Sequence, residues 1–370
     1  MAIRYDNLIV GCGLSGAVLA ERLASLHGET SLVIDKKDHI AGNCYDYKDN
    51  GISVHRYGPH IFHTNNAVVW QYLSQFTDWH PYMHRVLVYI DGQTAPFPFN
   101  LNTIRQVFPQ SLAEKLEGKL LHLFEYGKKI PIMELLNSSD DDLQFLANYI
   151  YEKVFKNYTI KQWGLRPEEL DGSVTARVPI SISSDNRYFG DTYQGIPANG
   201  YTDMIANILK NDKVTVKTGV AFSDIKDFVD YDRLIYTAPI DEYFDYKFGK
   251  LPYRSLKFDI SVQDTEYYQS VATVNYPNDY DFTRITEFKH FLDERSDKSI
   301  IMKEFPKPHK EGENEPLYPI MQDENRQIYQ RYLAEAQKIP NLIFAGRLGE
   351  YKYYDMDKVV ERALEIVANF

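Results

Sequence analysis

The first thirty-five residues constrain the fold more than any other part of the chain. An apolar run, Leu8-Ile9-Val10, ends at the turn Gly11-Cys12-Gly13-Leu14-Ser15-Gly16, and apolar residues at helical spacing follow. Ser31 to Ile34 predicts a second strand, which closes with Asp35. A strand, a glycine turn, a helix and a second strand form the βαβ unit that opens many α/β domains. The predicted fold class is therefore α/β, with a Rossmann-like first domain.

The glycine turn has the spacing of a dinucleotide site. Glycines at positions 11, 13 and 16 would let the backbone approach a pyrophosphate at a helix N-terminus, and the Asp35 carboxylate can accept hydrogen bonds from ribose hydroxyls. A tight turn that binds nothing is the alternative. Because both strands, the helix and the acidic residue accompany the glycines, dinucleotide binding is the favoured interpretation. The motif alone does not separate FAD from NAD.

The other end of the chain bears on that choice. Leu342-Ile343-Phe344 predicts a buried strand followed by Gly346-Arg347, and a last helix is expected to begin near Asp355 or Asp357. Its N-terminus would offer a second set of backbone amides, as the longer ligand, FAD, requires. A strand, loop and helix that only complete the sheet fit this spacing equally well.

The middle of the chain changes its periodicity. Alternating apolar residues at 86–90, before the turn Asp91-Gly92, predict a hairpin, and residues 95–99, with two prolines, predict an edge strand or an extended link. Helical spacing dominates from 101 to 163, and Ser138, Ser139 or Asp140 is expected to cap the longest helix, so we expect a helical subdomain. Residues 164–200 show little periodicity and are interpreted in part as a mobile active-site loop.

Five further short segments predict strands. Residues 214–216 and 234–236 are expected to return the chain to the first sheet. Residues 258–262, 271–274 and 299–302 are expected to form an antiparallel sheet.

Charge and cysteine content exclude several function classes. The 41 basic and 52 acidic residues give a net charge of −11, so a nucleic-acid or anionic-membrane surface is not expected, and an anionic substrate must meet a local cluster of Arg or Lys. The two cysteines, Cys12 and Cys44, fit neither a disulfide framework nor zinc-site spacing. No signal peptide or transmembrane segment is predicted, and we expect a cytoplasmic protein.

A few side chains are candidates for chemistry. His60 and His63 lie three residues apart without nearby partners for a metal, so no metal site is predicted, and a structural role or a hydrogen bond beside a flavin stays open. Arg177 and Arg284 could clamp a diphosphate, although a surface position is the commoner role of a single arginine. Trp163 could belong to the core or to a lid. The sequence has no nucleophile elbow, Walker A loop or zinc-binding HExxH helix.

Several segments together resemble the bacterial UDP-galactopyranose mutases, in order and over essentially the whole chain. They are Gly11 to Gly16, Tyr57 to Thr64, Asn157 to Gly164, Tyr193 to Pro197 with Gly200-Tyr201-Thr202, and Gly346 to Gly349 with Tyr353 to Met356. The resemblance implies an FAD-binding Rossmann-like domain (1–80, 195–240 and 320–370), a helical subdomain with the start of a mobile loop (101–170), and an antiparallel sheet domain for substrate (81–100, 171–194 and 241–319).

The resemblance also implies the reaction. It is the interconversion of UDP-galactopyranose and UDP-galactofuranose without net redox change, in which N5 of reduced FAD attacks the anomeric carbon, and the product enters cell-surface polysaccharide. A cofactor that supplies the covalent chemistry agrees with the lack of a protein nucleophile. The implied partners are the UDP-sugar, an unidentified reductant for the flavin and a second copy of the chain in a homodimer.

The resemblance assigns roles to individual residues. The implied catalytic residues are Arg177, Arg284 and His63. The implied substrate-binding residues are His84, Tyr158, Trp163, Tyr188, Asn275, Tyr318 and Tyr353. The implied cofactor-binding residues are Gly11, Gly13, Leu14, Ser15, Gly16, Asp35, Lys36, Gly42, Asn43, His60, Ile61, Val220, Gly346, Arg347, Tyr354, Asp355 and Met356.

Three alternatives remain open at this point. A flavin oxidoreductase of the amine-oxidase type shares the βαβ opening and the Gly42-Asn43 region, but does not need two arginines facing a diphosphate. A regulatory protein could bind FAD or NAD without reacting. The same mutase chemistry could act on UDP-N-acetylgalactosamine, because position 84 is His where some relatives have Asn.

Overall fold

The computed structural model of the chain describes residues 4–167 and 179–370. The strands are β1 (Arg4–Val10), β2 (Ser31–Asp35), β3 (Asp46–Asp49), β4 (Ile52–His55), β5 (Phe62–Thr64), β6 (Trp79–Pro81), β7 (Val86–Ile90), β8 (Gln93–Phe97), β9 (Lys129–Pro131), β10 (Pro179–Ser181), β11 (Tyr193–Pro197), β12 (Val214–Thr218), β13 (Asp230–Tyr236), β14 (Tyr253–Gln263), β15 (Thr273–Asn275), β16 (Arg284–Glu287), β17 (Ser299–Pro308), β18 (Tyr318–Pro319) and β19 (Leu342–Phe344).

The helices are α1 (Leu14–Arg22), α2 (Ala67–Leu73), α3 (Leu101–Val107), α4 (Gln110–Leu123), α5 (Ile132–Leu136), α6 (Asp141–Ile150), α7 (Asn157–Trp163), α8 (Tyr201–Leu209), α9 (Phe222–Ile225), α10 (Ile240–Tyr243), α11 (Asp323–Ala336), α12 (Gly346–Gly349) and α13 (Met356–Ala368). π-Helical turns extend α1 over Leu23–His27 and α6 over Tyr151–Lys156, and short 3₁₀ turns cover Gly42–Cys44 and Phe288–Phe291. None of the described helices is long and apolar enough to cross a bilayer.

The chain divides into two compact units. Unit 1 comprises Met1–Tyr82, Asp191–Ser255 and His309–Phe370, and unit 2 comprises Met83–Gly190 and Leu256–Pro308. The predicted helical segment and the strands predicted at 258–302 all belong to unit 2. The finer division into three parts stays a prediction.

Unit 1 is built on a parallel sheet with the strand order β12, β2, β1, β13 and β19. The central strand β1 pairs with β2 through Leu8 and Leu32, and with β13 through Leu8 and Leu234. Leu8 and Ile9 are fully buried, as expected for a parallel strand that is covered on both faces. The predictions that 214–216, 234–236 and 342–344 are strands of this sheet are confirmed.

A small antiparallel sheet in unit 1 corrects the prediction of an irregular segment at 164–200. Strand β11 lies between β5 and β6, and Gln194 pairs with His63. The Trp70 ring stacks against both Trp79 and Tyr193, with centroid distances of 4.3 and 5.2 Å. In unit 2, β10 pairs with β9. Such short strands depend on partners distant in sequence, so their own periodicity does not reveal them.

Unit 2 contains a larger sheet in which β14, β17, β16, β15, β7 and β8 are neighbours in that order. The hairpin of β7 and β8 is confirmed, as is the edge position of β8. The prediction of an antiparallel sheet is wrong in one respect, because β15 and β7 are parallel. No tight turn joins these two strands, so nothing local fixes their relative direction. Strand β16 was not predicted.

Two helices of unit 2, α3 and α6, begin at side-chain caps. The Asn100 side chain accepts a hydrogen bond from Thr103 N at 3.1 Å, and Asp140 accepts from Asp142 N at 3.0 Å. A carboxylate at this position satisfies amides that lack a partner within the helix. The predicted helices and the Asp140 cap are confirmed. Their apolar faces share one buried cluster, which includes Leu116 and Leu146.

Candidate functional site

Two glycines of the turn in unit 1, Gly11 and Gly16, have no space for a side chain. Gly11 has φ +106°, and a Cβ on Gly16 would lie 2.0 Å from the carbonyl oxygen of Gly11. Gly13 is the residue before α1, and no side chain of the described residues caps this helix. The first amides of α1 therefore remain available to an anion at the turn, as in phosphate sites at helix N-termini. The predicted residues Leu14 and Ser15 form the first turn of α1.

Asp35 lies beside this turn at the end of β2. Its carboxylate accepts hydrogen bonds from Cys12 N at 2.8 Å and from Lys37 N at 2.9 Å, and its carbonyl accepts from Val220 N at 2.9 Å. Each carboxylate oxygen can still accept a further hydrogen bond. The structure thus brings together the glycine turn, Asp35 and Val220, with Lys36 adjacent, as a ribose-binding arrangement requires.

A second glycine segment closes on the first. Ala41 N donates to Cys12 O at 2.9 Å, and a Cβ on Gly42 would lie 2.9 Å from Cα of Gly13. Next to it, Asn43 Oδ1 accepts from Lys37 Nζ at 3.3 Å. The predicted cofactor residues Gly42 and Asn43 therefore adjoin the glycine turn.

The C-terminal segment reaches the same place. Gly346 has φ +76°, and its Cβ would lie 3.2 Å from the side chain of Ser15. Met356, the first residue of α13, accepts at Sδ from Cys44 Sγ at 3.7 Å, and Asp355 precedes this helix without a side-chain hydrogen bond to its amides. Two helix N-termini from opposite ends of the chain thus flank the glycine segments. This geometry favours the longer dinucleotide.

Other predicted residues of the C-terminal segment lie nearby in unit 1. The Tyr318 and Tyr353 rings stack at 5.6 Å, and the Arg347 guanidinium lies 5.3 Å from the Tyr318 ring centroid. Burial raises the pKa of Tyr354 to about 12, so its hydroxyl keeps its proton and can donate a hydrogen bond.

The histidine segment adds a network that the sequence did not predict. His55 is buried, burial lowers its pKa to about 3, and its Nδ1 accepts from His60 N at 3.0 Å. His60 in turn donates from Nδ1 to Gly58 O at 2.8 Å. His63 Nδ1 lies 2.9 Å from Asp191 Oδ2. The predicted residue Ile61 lies with Phe62 between the two predicted histidines. Neither His55 nor Asp191 carries a local signal that links it to them.

In unit 2 three side chains share one rung of the sheet. Asn275 pairs with Arg284 across β15 and β16, and Arg284 pairs with Glu304 across β16 and β17. Arg284 Nε donates to Glu304 Oε1 at 2.6 Å, and the Glu304 side chain is only 1% exposed. Two predicted residues are thus neighbours. Glu304 was missed because nothing in its local sequence distinguishes it from other strand residues.

His84 and Tyr188 also adjoin each other. Tyr188 N donates to His84 O at 2.8 Å, and the two rings meet at a centroid distance of 5.7 Å. His84 is buried against Phe189. The predicted substrate residues His84 and Tyr188 therefore form one contact pair.

Helix α7 carries Tyr158 and Trp163 and is tied to the loop after β15. Asn157 Nδ2 donates to Asn278 Oδ1 at 2.8 Å, and Lys161 Nζ donates to Tyr276 O at 3.0 Å. Burial lowers the pKa of Lys161. The predicted catalytic residue Arg177 lies outside the described residues. Within the described ranges, no three His, Cys, Asp or Glu side chains are grouped to hold a metal ion.

Two family models match segments of the chain that carry the predicted site residues. The UDP-galactopyranose mutase model matches residues 153–353, and an NAD(P)-binding Rossmann-like domain model matches residues 9–76. The first match includes Tyr158, Trp163, Arg284 and Tyr353, and the second includes the glycine turn and Asp35.

Known proteins are similar over nearly the full length. The chain is 39% identical to a probable UDP-galactopyranose mutase of Klebsiella pneumoniae, covering 98% of this chain and 94% of that protein. It is 34% identical to a dTDP-fucopyranose mutase of Escherichia coli, covering 97% and 96%. A crystal structure of reduced UDP-galactopyranose mutase superposes with a TM-score of 0.73 at 16% identity, covering 99% of this chain and 95% of that one. The last likeness supports the fold.

Proposed function

Because the chain belongs to the UDP-galactopyranose mutase family, we propose that it interconverts UDP-galactopyranose and UDP-galactofuranose with FAD as its cofactor. The observation that carries this proposal is the meeting of α1, the Gly42 segment, Gly346 and α13 in unit 1. Two uncapped helix N-termini around glycines without room for a Cβ suit a long dinucleotide with a pyrophosphate.

The chain's own residues would hold FAD mostly through the backbone. The amides from Gly11 to Gly16 would bind the pyrophosphate, and Asp35, with Lys36 and Val220 adjacent, would bind the ribose. The flavin end would meet the following residues: Gly42, Asn43, His60, Ile61, Gly346, Arg347, Tyr354, Asp355 and Met356. Bound and reduced, FAD supplies a nucleophilic N5 for the anomeric carbon of the sugar.

Substrate binding would rely on side chains. Tyr158 would stack on uracil, Trp163 would act in a lid, and Asn275 and His84 would lie near the nucleotide. The phosphate oxygens would accept hydrogen bonds from the hydroxyls of Tyr188, Tyr318 and Tyr353. A flat aromatic ring with a hydroxyl suits this combination of stacking and hydrogen bonding.

Arg284, with Arg177, would stabilise the leaving group. Negative charge on the diphosphate grows as the bond to the anomeric carbon breaks, and a guanidinium fixed beforehand stabilises that charge without reorganising. Glu304 fixes the orientation of the Arg284 guanidinium by accepting a hydrogen bond from its Nε. His63 would act at the sugar as the third catalytic residue.

The wider setting is proposed on the same resemblance. The product would enter cell-surface polysaccharide, the enzyme would work in the cytoplasm as a homodimer, and an unidentified reductant would keep the flavin reduced.

The test uses purified protein with dithionite-reduced flavin, incubated with UDP-galactofuranose and followed by chromatography. We expect UDP-galactopyranose to form, with a requirement for reduced flavin but no stoichiometric consumption of reductant. A yellow protein that leaves the sugar unchanged and oxidises another substrate would favour the amine-oxidase type instead. The same assay with UDP-N-acetylgalactosamine tests whether the N-acetylated sugar is also a substrate.

A second candidate substrate follows from the similarity to the dTDP-fucopyranose mutase. That enzyme's name specifies a mutase that acts on fucopyranose, a 6-deoxy sugar, attached to a thymidine nucleotide. Parallel assays with dTDP-fucopyranose and UDP-galactopyranose compare kcat/KM directly. If kcat/KM is higher for dTDP-fucopyranose, that sugar nucleotide would be the preferred substrate, and the proposed type of reaction would stay the same.

A further inference from the structure

The contact between His63 and Asp191 defines the proton positions on one imidazole. His63 Nδ1 lies 2.9 Å from Asp191 Oδ2. A carboxylate only accepts hydrogen bonds, so Nδ1 must carry the proton. In the neutral imidazole Nε2 is then the nitrogen with a lone pair.

Asp191 is itself fixed from several sides. Asn65 Nδ2 donates to Asp191 Oδ1 at 2.8 Å, and Asn65 Oδ1 accepts from Thr192 N at 2.9 Å. The Asp191 carbonyl accepts from Gln194 Nε2 at 2.8 Å, and Gln194 pairs with His63 across β11 and β5. The strand register therefore sets the spacing between carboxylate and imidazole, and Asn65 sets the orientation of the carboxylate.

His60 provides an internal comparison. Its Nδ1 donates to the carbonyl oxygen of Gly58 at 2.8 Å, so it has the same tautomer as His63 but an uncharged partner. A carboxylate stabilises positive charge on its neighbour, and a carbonyl does so far less. Of these two histidines, His63 is the one whose Nδ1 contacts a carboxylate, whereas the Nδ1 partner of His60 is a carbonyl oxygen.

The proposed reaction needs such a proton carrier. In the pyranose, O5 is the ring oxygen and O4 carries a proton, whereas in the furanose O4 is the ring oxygen and O5 carries the proton. One proton therefore moves from O4 to O5, and none is gained or lost overall. A group that accepts a proton at one atom and returns it from the same atom balances this transfer.

We propose that Asp191 is a positioning residue that holds His63 as the Nδ1–H tautomer, so that Nε2 of His63 accepts the sugar proton and returns it. The inference rests on the proposed mutase function. The His63 side chain is 19% exposed, and Asp191 acts only through it.

The first test is independent of flavin and substrate. Protein labelled with ¹⁵N-histidine is studied by long-range ¹H–¹⁵N correlation at a pH where the imidazole is neutral, and His63→Gln identifies the signal. We expect the Nδ1–H tautomer for His63 in the wild type and in Asp191→Asn, whose amide oxygen can still accept. In Asp191→Ala we expect the Nε2–H form that free histidine prefers. An Nε2–H tautomer in the wild type would overturn the proposal.

The second test is kinetic and uses the reduced holoenzyme. We expect Asp191→Ala to lower kcat on the order of 100-fold and to leave KM within about 2-fold, with a smaller kcat loss in Asp191→Asn. Asp232→Asn, which changes a surface carboxylate paired with Arg4, should leave both parameters unchanged. Unchanged kcat in a flavin-loaded Asp191→Ala would refute the role. A wild type that converts no sugar contradicts the mutase function instead, and the tautomer result still stands.

Discussion

The predicted cofactor residues of unit 1 offer mainly backbone groups, whereas the predicted substrate residues of unit 2 offer side chains. In unit 1, a Cβ on Gly16 would collide with the main chain of Gly11, and a Cβ on Gly42 would collide with the main chain of Gly13. In unit 2, Arg284 donates a hydrogen bond to Glu304, its cross-strand partner on β17, and the ring of His84 contacts the ring of Tyr188.

This difference between the two units shows that a binding site made of backbone groups is easier to predict from a sequence than one made of side chains. A backbone cradle needs particular residues at fixed local spacing, because only glycine fits where chains touch or φ is positive. A side-chain site needs a few reactive groups that the fold collects from distant segments. Four predictions test whether the two units also divide the work.

The largest effect is expected from Arg284→Ala in unit 2. Loss of the guanidinium should lower kcat by about 1,000-fold, equivalent to about 4 kcal/mol of transition-state stabilisation. Flavin content should not change, because the glycine segments around Gly16 and Gly42, which we call the backbone cradle, belong to unit 1. Steady-state kinetics and the flavin absorbance of the purified variant measure both.

Arg105→Ala is the matched control, because this arginine lies in the same unit and pairs with Glu117 at an exposed position. Loss of flavin from Arg284→Ala, or near-normal turnover, would break the division between the units.

The backbone cradle is tested by Gly16→Ala. The new Cβ would lie 2.0 Å from the Gly11 carbonyl, and neither backbone can yield without opening the βα turn, so we expect flavin loss and destabilisation by about 3 kcal/mol. Flavin absorbance and urea unfolding measure the effect. Gly118→Ala in α4, where nothing lies within 4 Å, should instead stabilise the protein by about 1 kcal/mol. Equal effects of the two substitutions would refute the cradle.

The two units should also respond differently to acid. The pKa of His55 in unit 1 is lowered to about 3, so the unfolded chain takes up a proton from about pH 6.5 downward while the folded chain does not. The free energy of unfolding should therefore fall by about 2 kcal/mol between pH 6.5 and pH 5. In unit 2, burial would raise the pKa of Glu287, but hydrogen bonds from His290, Ser299 and two backbone amides lower it overall.

Since the folded pKa of Glu287 is lowered, its contribution is present above pH 4.5 and is lost only as the pH falls further. Urea unfolding at pH 7 and pH 5, followed by hydrogen exchange of each unit, separates the two responses. His55→Gln should reduce the fall in the free energy of unfolding between pH 7 and pH 5. His122→Gln, on an exposed face of α4, should leave that fall unchanged. If the free energy of unfolding of unit 2 fell at a higher pH than that of unit 1, the predicted difference between the units would be contradicted.

The smallest effect is expected from Trp163→Ala at the end of α7. Loss of one aromatic contact to the UDP-sugar should raise KM about 10-fold, or about 1.4 kcal/mol, and leave flavin binding intact. Phe145→Ala removes an exposed ring from α6 of the same unit and should leave KM unchanged. Unchanged KM and kcat in Trp163→Ala would refute the proposed role of Trp163 in a lid over the substrate.

Much of unit 1 could be predicted from the sequence. The βα turn, Asp35 at the end of β2, the parallel strands and the start of α13 after Asp355 all appear as predicted. Each depends on signals within a few residues: glycine spacing, continuous apolar runs, and an acidic residue before a helical pattern. The same holds for the Asp140 cap in unit 2.

Only the tertiary structure decided the rest. Strands β10, β11 and β16, the parallel pairing of β15 with β7, and the partners of the candidate catalytic groups were not predictable. Asp191 meets His63 across 128 residues and Glu304 meets Arg284 across 20, so the pairs have no common local pattern. The physical reason is that side-chain hydrogen bonds and strand register form between segments that folding brings together, whereas glycine turns, helix caps and apolar periodicity are properties of neighbouring residues.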